Sequence, residues 1–189
     1  MSTKLFGKWE FEGVEVRDPG LRRYISIGPI ASPHSKGTHE HRRFRKSDLS
    51  IIDRLIGKVM LGGGRSSGKK TKATSVVRNS FELVGLKTKR NPIQVLVDAI
   101  ENSAPCEDTT RVSHGGAVYF LAVDVSPQRR VDLALRFITE GARKKGFKNR
   151  QALEEALARE LIAAANNDSN RSYAVQKRNE IERIALASR

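Results

Sequence analysis

Residues Gly63 to Lys70 read GGRSSGKK and come within one residue of a loop that cradles nucleotide phosphates: Gly63, four residues, Gly68 and Lys69. The next position must carry a Ser or Thr hydroxyl for a magnesium ion, and it is Lys70. Such a loop also follows a buried strand, whereas the apolar residues ahead of this one recur at helical spacing. Nucleotide hydrolysis is therefore not expected, although a basic glycine-rich loop can hold the phosphates of a nucleic-acid backbone. His34, His39, Glu40 and His41 could be imagined around a metal ion, but their spacing matches no helical pair of ligands and no second cluster completes them. Cys106 lies beside Glu107 and Asp108, whose negative charge opposes activation of the thiol, and His114 has no evident Ser or Cys to serve. The acids from Asp98 to Asp108 read as a solvated helix end rather than as a paired acid and base. No catalytic residue, metal site or cofactor is expected, so the chain is not read as an enzyme.

The elements that carry these residues are mostly helices. Ser47 reads as an N-cap, after which Ile52, Leu55, Ile56, Val59 and Met60 mark one face up to the stop at Gly62-Gly63-Gly64. A second helix buries Ala73, Val76, Val77, Phe81 and Val84. Asn91-Pro92 supplies a cap and a first-turn proline for a third, with Ile93, Leu96, Val97 and Ile100 inward. Ser126-Pro127 repeats the device for a fourth, lined by Val131, Ala134, Leu135, Ile138 and Ala142. Asn149 reads as the cap of a fifth, and a sixth runs from about Ser172 toward Ser188. Between the third and fourth the period changes to two: Thr109–Ser113 and Val118–Val125 flank Gly115-Gly116, the signature of a hairpin. A lone two-stranded ribbon is marginal in water, so this one either packs on its own domain or is an arm that another molecule holds. The fold class is mainly α: a compact bundle of about six helices with a β-hairpin arm at about 109–126.

Residues 1–46 read differently. Trp9, Phe11, Val14 and Val16 give a short imperfect alternation that ends at the turn signal Asp18-Pro19-Gly20. A loop rich in Pro, Gly, Ser and His follows, then Arg42, Arg43, Arg45 and Lys46. This stretch is expected to be a basic extension, partly extended or disordered without a partner, ahead of a helical domain at 47–189.

Charge dominates the composition: 35 Lys and Arg against 21 Asp and Glu, net +14, with a pI near 10.3. An excess of that size in 189 residues is self-repelling unless a polyanion offsets it, and nucleic acid is the commonest polyanion. A membrane surface is the rival, weakened by the lack of any long apolar run. Lys and Arg concentrate at 62–90 and 129–150, which adds Arg78, Arg143, Lys144 and Lys145 to the candidates, while 91–110 holds none. Alternating basic and acidic elements imply one positive and one negative face, as backbone-phosphate binding requires. The single Cys106 excludes an intramolecular disulfide framework and points to a reducing, intracellular compartment, and the N-terminus lacks the apolar core of a signal peptide.

Several blocks carry a family resemblance. RFRKSDLSIIDRLIGKVM, NPIQVLVDAIENSAPCEDTTR, GGAVYFLAVDVSPQRR, Arg136-Phe137 and SYAVQKRNEIERIA, with the GKK of the loop, resemble small-subunit ribosomal protein seven in its archaeal and eukaryotic form. The likeness covers Phe44 to Arg189, nearly four-fifths of the chain, and LFGKWEFEGVEVRDPGLRRYI looks like the N-terminal extension of that branch. The resemblance implies a six-helix fold with an arm, cytoplasmic and ribosome-bound, that binds the 3′ major (head) domain of small-subunit rRNA and nucleates head assembly. It also implies that the arm lies near the exit-site tRNA, the mRNA path and platform protein eleven. By position, the rRNA-facing residues implied are Arg42, Arg43, Arg45, Lys46, Arg65, Lys69, Lys70 and Lys72. Arg111, Arg129, Arg130, Arg136, Lys177 and Arg178 complete them. The arm tip, His114, Gly115, Gly116, Ala117 and Val118, would touch tRNA, mRNA or a neighbouring protein. Val118, Phe120 and Leu121 stand where bacterial members carry polar residues, which suggests that the arm docks by apolar packing rather than by charge.

The alternative of another class is a DNA regulator that uses the second and third helices as a helix-turn-helix, although Asn91-Pro92-Ile93 makes a poor start to a base-reading helix.

Overall fold

The helical spacing of apolar residues is realised in seven α-helices among the described residues, which are 3–34, 41–61 and 68–189 of this computed structural model. Residues Gly62, Gly63, Gly64 and Arg65, with His39 and Glu40, fall outside them. The helices are α1 (Pro19–Arg22), α2 (Ile51–Met60), α3 (Lys70–Thr88), α4 (Pro92–Ser103), α5 (Pro127–Gly146), α6 (Leu153–Ala165) and α7 (Tyr173–Ala187). Six are the helices expected from periodicity; α1 is a single extra turn capped by Asp18, whose carboxylate accepts the Gly20 N–H. The hairpin, β1 (Glu107–His114) and β2 (Ala117–Asp124), is inserted between α4 and α5.

The bundle is built around α4. Ile93, Val95, Leu96, Val97, Ala99 and Ile100 are all buried, so this helix is apolar nearly all round and must be enclosed. Helices α3, α5 and α6 enclose it with Phe81, Val84, Leu135, Ile138, Leu157 and Leu161. The rest of its surface is covered by the N-terminal segment: Leu5 and Leu21 are fully buried, and Phe11, Val14 and Val16 pack against the same core. Trp9 meets Phe81 edge-on with centroids 6.0 Å apart. The alternation from Trp9 to Val16 does not make a strand. Its backbone is held instead by α4 side chains: Gln94 accepts the Glu15 N–H and donates to the Glu15 carbonyl, and Asn91 donates to the Glu10 carbonyl. Glu101 accepts the N–H groups of Arg17 and Asp18.

Asp98 is likewise not a solvated acid. It is buried and accepts hydrogen bonds from Arg90 (2.7 Å) and Gln94 (2.8 Å). Two expected caps also move. Ser47 lies in a 3-10 turn and donates to the Phe44 carbonyl, while α2 starts after Ser50. Asn149 closes α5 by donating to the Lys145 carbonyl, and α6 starts after Ala152. Asn91 and Ser172 do cap α4 and α7 with their side chains.

Among the described glycines, Gly141 in α5 has the least room for a side chain. A Cβ there would sit 2.8 Å from the Tyr173 Cβ and 2.9 Å from the Glu160 Cδ, so only glycine lets α5 approach α6 and α7 this closely. Glu160 itself is fully buried, and its charge is met by Lys145 (2.5 Å), the Ser172 hydroxyl (2.8 Å) and the Ala174 N–H (3.0 Å).

Candidate nucleic-acid interface

Strands β1 and β2 pair antiparallel with Val112 opposite Tyr119, Arg111 opposite Phe120 and Thr110 opposite Leu121. Gly115 and Gly116 are the two loop residues, with φ of +57° and +86°, the two positive angles of a type I′ turn. Among the described residues, only the base of the ribbon is held. Glu182 of α7 accepts the Cys106 N–H, Arg189 pairs with Glu107, Arg129 lies 3.6 Å from Asp108, and Val125 is buried. Beyond that, Val112, Val118, Tyr119, Phe120, Leu121 and Val123 are 39–59% exposed, on both faces. The ribbon is thus a projecting arm, and the reading in which it packs on its own domain is set aside.

Next to the arm's base, α2 and the first turns of α5 enclose a cleft of about 350 Å³ lined by Lys58, Arg129, Asp132 and Arg136. Asp132 is its one carboxylate, and it is shared: Lys46 approaches to 2.8 Å and the buried Arg54 to 3.3 Å. Burial works to raise the Asp132 carboxyl, but the Lys46 hydrogen bond and the charges of Arg54, Lys46 and Lys58 outweigh it and hold the group below the ordinary aspartate value. Lys58 is half-buried, and its amine has no hydrogen-bond partner among the described residues. Burial draws its amine below the ordinary lysine value; Asp132 opposes this from a distance, and Lys46, Arg136 and Arg54 reinforce it. Cations crowded around one acid leave net positive charge in a concave site, the arrangement that an anion relieves. The band extends along the body. Arg143 donates to the Lys58 and Val59 carbonyls at the end of α2, and a second cleft of about 200 Å³ brings Arg143 beside Lys69 and Lys72.

The cations expected to face RNA therefore divide. Arg42, Arg43, Lys69, Lys72, Arg111 and Arg129 are exposed, Arg43 over the Phe44 ring at 4.9 Å. Arg45, Arg78 and Arg136 are exposed too, but each pairs along its own helix, with Asp48, Glu82 and Glu140. Lys70 pairs with Asp53 at 2.8 Å. Arg130 is 14% exposed and is spent on Asp18 (3.0 Å) and the Cys106 sulfur (3.4 Å). On the side of α7, Lys144 stacks over Tyr173, Lys145 neutralises Glu160, Lys177 pairs with Glu180, and Arg178 donates to the Asn102 carbonyl. Arg65 lies outside the described residues. Lys58 and Arg54 carry no sequence signal: each is one basic residue between the apolar positions of α2, and only the fold sets them beside Asp132.

Helix α2, not a strand, precedes the GKK loop. Among the described residues no group of three His, Cys, Asp or Glu is placed to hold a metal ion, and no helix is long and apolar enough to cross a membrane. The start of α4 is closed to DNA, because Pro92 and Ile93 are buried and Asn91 is occupied by Glu10.

A helical body with a cation-rich band beside a projecting apolar ribbon defines a basic protein built to meet a polyanion. The family described as ribosomal protein S7p/S5e matches residues 21–189. A relative from Methanothermobacter thermautotrophicus, described as small ribosomal subunit protein uS7, is 52% identical over 184 residues, covering 97% of this chain and 98% of its own. Relatives of the same description from Methanosphaera stadtmanae and Cenarchaeum symbiosum are 51% and 50% identical, covering 100% and 98% of this chain and 100% and 96% of their own. The chain belongs to the S7p/S5e family of ribosomal proteins.

Proposed function

We propose that this chain is a structural component of the small ribosomal subunit, at work in the cytoplasm, that binds the 3′ major domain of the rRNA and nucleates assembly of the head. The observation that carries the reading is the cleft at Lys58, Arg129 and Arg136, where cations outnumber their single acid, Asp132. Phosphates of a multi-helix RNA junction supply the missing negative charge, and shape rather than sequence is read. The band runs from Lys69 and Lys72 past Arg143 to the arm, with Arg42 and Arg43 contributed by the N-terminal segment. The exposed apolar ribbon reaches a neighbour by shape, in keeping with a place near the exit-site tRNA, the mRNA path and platform protein eleven.

Chemical footprinting of a head-domain rRNA fragment tests this, using the full chain and a chain whose 109–123 segment is replaced by a short turn. Protection at a helical junction that survives removal of the arm is the expected result. Equal protection of an unrelated duplex would refute it.

A further inference from the structure

A third cleft, of about 690 Å³, lies where three helices end. Its walls are Thr88 from the end of α3, Lys145 from α5 and Asn166 just beyond α6. The floor is apolar, from Ile162 and Ala163, and its volume is in the range of sites that enclose a small ligand. Three amides, Asn149, Gln151 and Asn166, present both donors and acceptors to it. Lys87, Arg159 and Arg171 also line it, and all three are exposed. Arg159 is half-exposed and 3.9 Å from Glu155; Arg171 is 85% exposed and 3.7 Å from Asp168.

The chemistry of this lining selects among ligands. Helix C-termini carry partial negative charge, and three converge here. Lys145 is already neutralised by Glu160, and the Asp168 carboxylate lines the same space, fixed by the N–H groups of Asn170 and Arg171. A phosphate or an acidic peptide seated on the floor would meet these negative groups. A nucleobase would not: it offers a flat apolar face to Ile162 and Ala163, and donors and acceptors on its edge to the amides and Asp168. Its own phosphate would remain at the rim with Lys87, Arg159 and Arg171. Splayed-out single-stranded nucleotides are read in this way, by stacking and edge hydrogen bonds.

We propose that this cleft receives one unstacked nucleotide of the bound RNA, a contact separate from the Lys58 cleft. The inference rests on the reading of the chain as an rRNA-binding protein. It is tested with the full chain and a head-domain rRNA fragment, by probing the flexibility of every unpaired nucleotide, and by binding of fluorescent oligo(A) and oligo(U). Arg171→Ala with Asn166→Ala alters exposed side chains only; Ala163→Phe fills the floor. Both variants are expected to release one protected unpaired nucleotide while the junction footprint persists, and to weaken oligonucleotide binding about fivefold or more. Unchanged protection at every unpaired nucleotide in the Arg171, Asn166 variant overturns the inference, as does displacement of oligo(A) by oligo-glutamate. In either case an intact junction footprint leaves the rRNA reading standing. If the unaltered chain protects no RNA at all, that reading fails, and this one with it.

Discussion

Removing Lys58 and Arg129 together, as Lys58→Met with Arg129→Gln, separates cations that wait for a ligand from cations that hold the fold. The Lys58 amine has no hydrogen-bond partner among the described residues, and Arg129 is 63% exposed in a loose pair with Asp108 at 3.6 Å, so both charges can release counterions on binding phosphate at little cost to the fold. Each phosphate contact contributes about 0.7–0.9 to the slope of log affinity against log salt, so losing two lowers it by about 1.4–1.8. Between 50 and 200 mM salt, the unaltered chain should then lose about tenfold more affinity than the double variant. Arg130 is the control. It is adjacent in sequence and equally charged, but it is bonded to Asp18 and the Cys106 sulfur. Arg130→Gln should leave the slope unchanged and lower stability by about 1–3 kcal/mol, because a partly buried carboxylate loses its partner. Fluorescence anisotropy across a salt series, with urea unfolding of each variant, measures both quantities. A slope change in Arg130→Gln as large as in the double variant, or none in the double variant, refutes the division into free and bound cations.

Gly141→Ala should destabilise by about 2 kcal/mol despite the better helix propensity of alanine, because both groups its Cβ would strike are anchored. Gly57→Ala, with open space around the same added atom, should stabilise by up to about 1 kcal/mol; thermal unfolding of the pair reads the difference. Asp132 has its carboxyl lowered in the folded state, so its stabilisation is complete above about pH 4 and is lost as pH falls through the folded value. Asp132→Asn should flatten that part of the stability curve in urea titrations between pH 5 and 2. Valine at both Gly115 and Gly116 should strain the arm's turn by about 1–2 kcal/mol per residue and weaken contacts at the tip. Affinity for the rRNA junction should stay within about twofold, and a loss matching that of the Lys58, Arg129 variant would argue that the arm is the main RNA contact.

Six helices and a hairpin were legible because each rests on a local cue: apolar residues at helical spacing, the cap-and-proline pairs Asn91-Pro92 and Ser126-Pro127, and the glycine pair. Cues that two structures compete for were not. Ser47 and Asn149 are good caps, yet each side chain finds a nearer carbonyl, at Phe44 and Lys145. Alternation from Trp9 to Val16 suggests a strand, but no partner strand exists among the described residues, and side chains of α4 take the backbone instead. Charge clusters marked the basic segments without telling a free arginine from a bonded one. Arg130 is set apart from Arg129 chiefly by its bond to Asp18, 112 positions away in the chain. Lys58 shows the converse, a binding candidate invisible until Asp132, Lys46 and Arg136 are brought around it.

The N-terminal segment carries a consequence for biosynthesis. Its backbone bonds to Gln94 and Glu101 span 79 and 84 positions of the chain. At roughly 5–20 residues per second, translation leaves these first residues waiting several seconds for the helix they cover. Leu5, Leu21 and their neighbours are thus exposed while the chain is still being made, and α4 is incompletely enclosed until they dock. A chain tagged or fused ahead of Leu5 would delay that closure, and should aggregate during expression more than one extended beyond Arg189.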